Sequence, residues 1–491
     1  MTPITRTLAL AFAFTTLTHA EDRFVSPSGN DTNNGLAEES AFRTVAAAAK
    51  ATPAGARTIR LAAGEYPESE STLLAPGVSL TGAGIGQTII RWSARQQPRE
   101  TKASPEADKT AIRASNTAKA SISGFTLIGN LPDNQRANTG VVVHGASELS
   151  IHDLEVKGFE FCAIWLHDAV NSTIRNNRLD DNGLPHKESC SGALQIGHLT
   201  DCSIHHNTIR EHRGAYGIKT CIPEWTERND PWSAPKVKLV RVMIHDNDIK
   251  LRQQGGWGQG QPNIAIELWH SEPDSCEIYL NRINTCLSLV EGGKAAKTIR
   301  IHHNLLILDP GYNYAIEAGH HNMEIDHNVF RNGFYPIATW GGPPDNLNIH
   351  DNVFDSIEDI ALMALTGATN CRFVNNIVTV KKDMPVLSLG KRGKESSGIL
   401  IADNLFVKEG GEPMAAEMFV EEANNKSAPG SVTIRDNWFW NWKPAGANSQ
   451  SADPKLVREP DGDHLLKLAP DSPALKAGKG TAGGDWPAIS R

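Results

Sequence analysis

The sequence predicts an all-β protein: a single-stranded, right-handed parallel β-helix of about twelve coils with an N-terminal helical cap. Three observations carry this. A six-residue unit, Ile-x-x-Asn-x-apolar, recurs as IRNNRL, IHHNTI, IHDNDI, IYLNRI, IHHNLL, IDHNVF, IHDNVF, FVNNIV, IADNLF and IRDNWF. Its asparagines are Asn177, Asn207, Asn247, Asn281, Asn304, Asn328, Asn352, Asn376, Asn404 and Asn437, spaced by 23 or 24 residues from Asn281 to Asn376. Within each unit, short runs of alternating apolar residues are split by polar or Gly turns, and none can bury its apolar face alone. Stacking identical coils solves that, with each strand pairing its equivalent about 4.8 Å away. Crossovers between parallel strands favour the right hand.

The elements follow in order. Residues 1–20, MTPITRTLALAFAFTTLTHA, combine Arg6, an apolar run from Leu8 to Leu17 and a small-residue site at Thr18-His19-Ala20. This reads as a secretory signal peptide cleaved near Ala20, too short to span a membrane. The mature chain is therefore expected to be secreted or periplasmic. Residues 21–75 form an N-terminal strand and cap, in which FRTVAAAAKA, residues 42–51, reads as a helix over the open edge of the first coil. Residues 76–445 form the β-helix, with degenerate copies of the unit at Ile122 and Ile151. Residues 446–491, which include DSPALKAG, form a tail packing on the β-helix as a lid or strap at its far end.

The net charge of −8, with both signs interspersed, argues against a nucleic-acid partner, which would favour a basic stripe. The asparagines are expected to point inward, bonding the amides above and below and tolerating a left-handed bend. The histidines beside them, as in IHHN, point to solvent rather than to a metal. Of seven cysteines, Cys202, Cys276 and Cys371 stand where other copies carry Leu149, Ile299 or Leu347, so they read as core thiols rather than disulfide partners.

FVSPSGNDTNNG, the Ala-rich helix, LAAGEYPES, VSLTGAG, the Asn turns and DSPALKAG together resemble the secreted right-handed β-helix proteins of the pectate-lyase-like superfamily. The resemblance covers nearly the whole mature chain. It implies the fold and leaves the activity among polysaccharide lyases, glycoside hydrolases, epimerases and non-catalytic proteins. Neither the paired-Asp signature of polygalacturonases nor the Asp-Pro-His-Glu run of alginate epimerases occurs.

Aligning the strand before each Asn turn gives an outward column: Trp165, Gln195, Lys219, Glu267, Glu291, Glu317, then Ala338 or Thr339. Three ionised carboxylates one coil apart would repel one another, so the alignment calls for a compensating Lys219, a bound cation or a shared proton. Two long insertions lie beside this column. The spacing grows to 40 residues between Asn207 and Asn247 and to 34 between Asn247 and Asn281, adding loops with Trp225, Trp232 and Trp257. Trp269 and Trp340 are close in phase. Such rings stack on sugars, which makes a polysaccharide the expected partner.

Three chemistries remain open at this level. The first is β-elimination of an acidic polysaccharide, with Glu267, Glu291 and Glu317 able to hold Ca²⁺, and with Lys219, Tyr216, His270 or Arg213 supplying base and acid. Several lyases of the resembling superfamily use a Lys or Arg base near Ca²⁺. Ionised glutamates beside Lys219 would raise its pKa, which counts against it as the base. The second is hydrolysis by paired Glu carboxylates. The third is a non-catalytic glycan-binding scaffold.

Overall fold

The computed structural model describes residues 21–93, 110–129, 139–183, 192–211, 216–223, 225, 235–251, 264–290, 297–308, 314–332, 335–340, 342–357, 361–389, 394–422, 431–458 and 466–480. Two long parallel sheets, of 28 and 16 strands, run the length of a β-helix. Of the 16 strands in the second sheet, three short ones (Leu199–Thr200, Val237–Val240 and Ser271–Asp274) extend the edges of their neighbours, and the other 13 are successive coils. That is one more than the repeat count suggests, because the first coils lack the Asn signature.

The first sheet carries the Asn turns. Ile174, Ile204, Ile244, Ile278, Ile301 and Ile325 stand in register from coil to coil and are all buried. Three residues on, the asparagines form the expected ladder. The amide Nδ2 of Asn328 donates to Asn352 Oδ1 at 3.0 Å, and the backbone N–H of Asn328 donates to the same oxygen at 2.9 Å. Nδ2 also reaches the carbonyls of Ile301 and Asp326, so no polar atom of the buried amide is left over. The same bonds repeat from Asn177 to Asn437. The left-handed residue is the one before each Asn, such as His206, Asp246, His303, His327 and Asp351, with φ between 51° and 55°. The Asn itself is the inward hydrogen-bonding member of the pair.

The residues flanking the ladder face outward, as expected, but not as isolated solvated groups. His205, His245, Tyr279 and His302 stack ring on ring, 4.6 to 5.0 Å between centroids and within 6° of parallel. Cys202, Cys276 and Cys371 are buried and form no disulfide, as expected of core thiols. Cys190 lies outside the described residues.

The helix of the cap spans Val45–Ala51, starts at an Asx-like Thr44 cap, and buries Val45, Ala46, Ala48 and Ala49. The tail packs on the outside of the coils. The strand Leu466–Leu468 and the helix Pro473–Lys476 place Leu466 and Ala474 on a column of outward apolar residues, Leu305, Val329, Val353, Ile377, Leu405 and Trp438. The tail is thus a strap along the flank of the coils, not a lid on their end. Hydrophobic residues at the position after each Asn from Asn304 to Asn437 provide its seat, and Arg458 clamps it to Asp355 at 2.6 and 2.8 Å.

Candidate functional site

The candidate site lies on the second sheet. Strands Cys162–Val170, Gly192–Ile196, Tyr216–Thr220, Ile264–Glu267, Cys286–Leu289, Tyr314–Ala318 and Tyr335–Ala338 stack in that order. Ile164, Leu194, Ile218, Ile266, Leu287 and Ile316 point into the core. Strand alternation sends the residues next to them to the other face. The resulting column is Trp165, Gln195, Lys219, Glu267, Ser288, Glu317 and Ala338.

This corrects the alignment at one point. Ser288, not Glu291, pairs with both Glu267 and Glu317. A register irregularity between Ile264 and Ile266 shifts the pairing by one residue. Glu291 itself lies outside the described residues, as do Arg213, Trp232 and Trp257. The two glutamates that are described, Glu267 and Glu317, are separated by a serine.

Each of the two carboxylates has a distinct partner set. Glu267 forms an ion pair with Lys219 one coil earlier, and both side chains are at most 10% exposed. The Lys219 ammonium also sits over the Tyr216 ring, 3.8 Å from its centre, and 5.8 Å from the Trp269 ring. Both distances are within cation–π range. Glu317 Oε2 accepts hydrogen bonds from Ser288 Oγ at 2.9 Å and from Tyr314 Oη at 2.8 Å. Burial pushes the Tyr314 phenol well above its usual range, with the Glu317 charge adding to the effect, so it stays a donor. A buried ion pair adds little to stability compared with an apolar core, so its retention on an outward face points to a use.

Among the aromatic candidates the structure separates platform from support. Trp225 is buried, donates from Nε1 to the Pro235 carbonyl at 3.0 Å, and packs edge-on against Trp269 with centroids 5.0 Å apart. It supports Trp269 rather than facing a sugar. Trp269 and Trp340 are partly exposed. His270 is buried beside Trp225 and Trp269. Under the groove, His320 is fully buried against the Leu268 carbonyl at 3.2 Å, and burial brings its pKa down to about 4, so it is neutral.

Sequence reasoning missed Ser288 and Tyr314. Ser288 had no signal beyond the register itself. Tyr314 lies three residues before Glu317, an odd spacing that alternation assigns to the opposite face. Gln195, which alignment did find, is fully buried one coil before Lys219 with neither amide atom hydrogen-bonded. A buried amide in that state is a standing demand for a polar partner.

A family model for the right-handed β-helix region matches residues 101–221. The chain has the right-handed parallel β-helix fold. This bears out the resemblance to the pectate-lyase-like superfamily at the level of fold. No curated protein matches. Among solved structures, a complex of the alginate lyase AlyF-OU02 with G6 aligns at a TM-score of 0.55 and 9% identity, over 86% of this chain and 88% of that one. DFA-IIIase from Arthrobacter chlorophenolicus A6 without its lid aligns at 0.45 and 12%, over 84% and 98%. The A-module of mannuronan C-5 epimerase AlgE4 from Azotobacter vinelandii aligns at 0.37 and 15%, over 81% and 89%. At such identities the likeness is one of fold.

Proposed function

We propose that this β-helix protein cleaves an acidic, uronate-containing polysaccharide by β-elimination along the outward face of the second sheet. The observation that carries the reading is Lys219, an ammonium paired with Glu267 and laid on the Tyr216 ring. Elimination needs a cation to neutralise the uronate carboxylate, a base to take the proton from the ring carbon bearing it, and an acid for the leaving glycosidic oxygen. Lys219 suits the first role. The Glu267 carboxylate and the Tyr216 ring hold it in place. Tyr216 suits the other two, its ring lying 3.8 Å from the Lys219 ammonium on the same strand. The proton passes from carbon to the Tyr216 oxygen, the neighbouring carbon–oxygen bond breaks as the double bond forms, and the departing oxygen recovers a proton. Trp269 and Trp340 offer ring faces to the sugar, and Gln195 offers an amide.

Calcium held by Glu267, Glu291 and Glu317 would require their oxygens to converge. Among the described residues Glu267 engages Lys219, Glu317 engages Ser288 and Tyr314, and the two stand two coils apart, so no step is routed through a metal here.

Hydrolysis is the second reading. Two coils are roughly 9.6 Å at the usual strand spacing, near the upper end of the inverting range of about 6.5–9.5 Å. It ranks lower because both carboxylates are already engaged, Glu267 by Lys219 and Glu317 by Ser288 and Tyr314. The likeness to the alginate lyase supports the first reading, and the leader-like N-terminus supports a substrate outside the cell. Incubation with uronate-containing and neutral polysaccharides separates them. Elimination yields products with a conjugated ultraviolet absorbance, hydrolysis yields reducing ends without it, and glycan binding without cleavage leaves a scaffold.

A further inference from the structure

Two clusters of potential ligand side chains occur among the described residues away from Lys219: Glu324 with Asp326 and His350, and His144 with His167 and Asp168. The first is already neutralised. Arg300 grips both oxygens of Asp326 at 2.8 and 2.7 Å, His327 takes one of them at 2.8 Å, and His350 engages Glu324 at 3.0 Å. A cation there would have to displace a bidentate guanidinium. Among the described residues, the two imidazoles are the basic side chains that meet Asp168.

The second cluster is assembled by the backbone. His144 and His167 are in-register neighbours on consecutive coils of the second sheet, on strands Thr139–Ser147 and Cys162–Val170. Asp168 follows His167 directly, and alternation would send it to the opposite face. Instead its φ of 53° makes a left-handed kink, and Ala169 turns back into the core, so His167 and Asp168 share the outward side. One coil on from His167 stands Gly197. A Cβ there would lie 2.1 Å from His167 Cδ2, so the glycine makes the cradle in which the ring is seated.

The distances suit one ion. His144 Nε2 lies 3.1 Å from Asp168 Oδ2, and His167 Nδ1 lies 3.3 Å from the same oxygen. A tetrahedral zinc with ligands at about 2.0 to 2.1 Å holds ligand atoms about 3.3 Å apart. The three ligand atoms all lie within 4.8 Å of one another. His167 is buried, with 7% of its side chain exposed, while His144 and Asp168 are 49% and 44% exposed, which leaves an open approach from solvent. Two imidazoles with one carboxylate select a borderline transition metal over calcium or magnesium, which prefer all-oxygen sets.

We propose that His144, His167 and Asp168 bind one divalent transition-metal ion, zinc by preference, with three protein ligands and an outward position left for solvent or a ligand oxygen. The site is on the same face as Lys219, two coils before it in register, since Trp165, two residues ahead of His167, pairs through Gln195 to Lys219. It does not depend on the elimination reading.

The test is calorimetric titration of the full chain, stripped with chelator, with Zn²⁺. One ion per chain should bind, and His144→Ala and Asp168→Asn should each weaken it by about 100-fold. Both residues are half exposed, so circular dichroism and thermal unfolding of the metal-free variants should match the parent. The surface pair His205 and His206, whose Nδ1 atoms are 2.8 Å apart, is the obvious competitor, and His206→Ala should leave the titration unchanged. Co²⁺ in place of Zn²⁺ should give the visible absorption of a tetrahedral site, lost in His144→Ala. No binding at all, or binding that both ligand variants leave intact, would overturn the proposal, as would loss of the ion in His206→Ala alone.

Discussion

The two sheets of this β-helix carry opposite kinds of column. On the first, the inward asparagines from Asn177 to Asn437 are chemically identical, and each satisfies the next. On the second, the outward column changes at nearly every coil, from Trp165 through Gln195, Lys219, Glu267 and Ser288 to Glu317. A column that only holds coils together gains from repetition, because every amide is both donor and acceptor. A column that must present different groups to a substrate cannot repeat. The contrast teaches where to look in a solenoid: structure lies where the repeat is strict, and chemistry lies where the same register position loses it.

The largest effects should come from breaking the variable column. Lys219→Ala should lower the elimination rate by at least about 100-fold, and Tyr216→Phe by about 100-fold to 10⁴-fold, as read by formation of conjugated product at a temperature where the variants are folded. Glu267→Gln should act through Lys219, removing the carboxylate that holds the ammonium in place, and should lower the elimination rate without abolishing it. If Glu267 were instead a hydrolytic acid or nucleophile, the variant would be inactive at all pH values.

Breaking the strict column should move stability and leave the chemistry alone. Asn328→Ala removes the acceptor used by Asn304 and the donor used by Asn352, Ile301 and Asp326, and should cost on the order of 1 to 3 kcal/mol in denaturant unfolding. The smallest effect concerns the histidines of the flanking stacks. Burial first, then neighbouring imidazole charge, brings His205 and His303 from 6.5 down to about 4. The unfolded chain therefore binds more protons than the folded one between these values, so stability is complete above about pH 6.5 and falls as the pH drops toward 4. His303→Asn, which keeps a residue tolerant of φ 54°, should make that fall shallower in unfolding curves taken across the window.

The same contrast explains what was legible in the sequence. The Asn ladder could be read because each Asn follows an Ile at a fixed offset, and hydrophobic burial enforces that register in every coil. Lys219, Glu267 and Glu317 were placed on one face because alternation carries phase across short strands. Glu291 was misplaced because VEGG imitates the IE of neighbouring coils, while the backbone, slipping near Ile264, pairs Ser288 instead. Trp225 was expected to face a sugar, and a tryptophan's size suits a core as well as a platform. The grouping of His144, His167 and Asp168 depends on a left-handed kink at an aspartate, which alternation alone would have ruled out.

The central claim is that the variable outward column is where the substrate is cleaved, and it meets its most direct test in a single assay. A panel of uronate-containing polysaccharides is incubated with the parent chain, with Lys219→Ala and with Asn328→Ala, at a temperature where all three are folded, and conjugated product is followed by ultraviolet absorbance. The account predicts product from the parent and from Asn328→Ala, and none from Lys219→Ala. Saturated products from the parent, or undiminished elimination by Lys219→Ala, would contradict it.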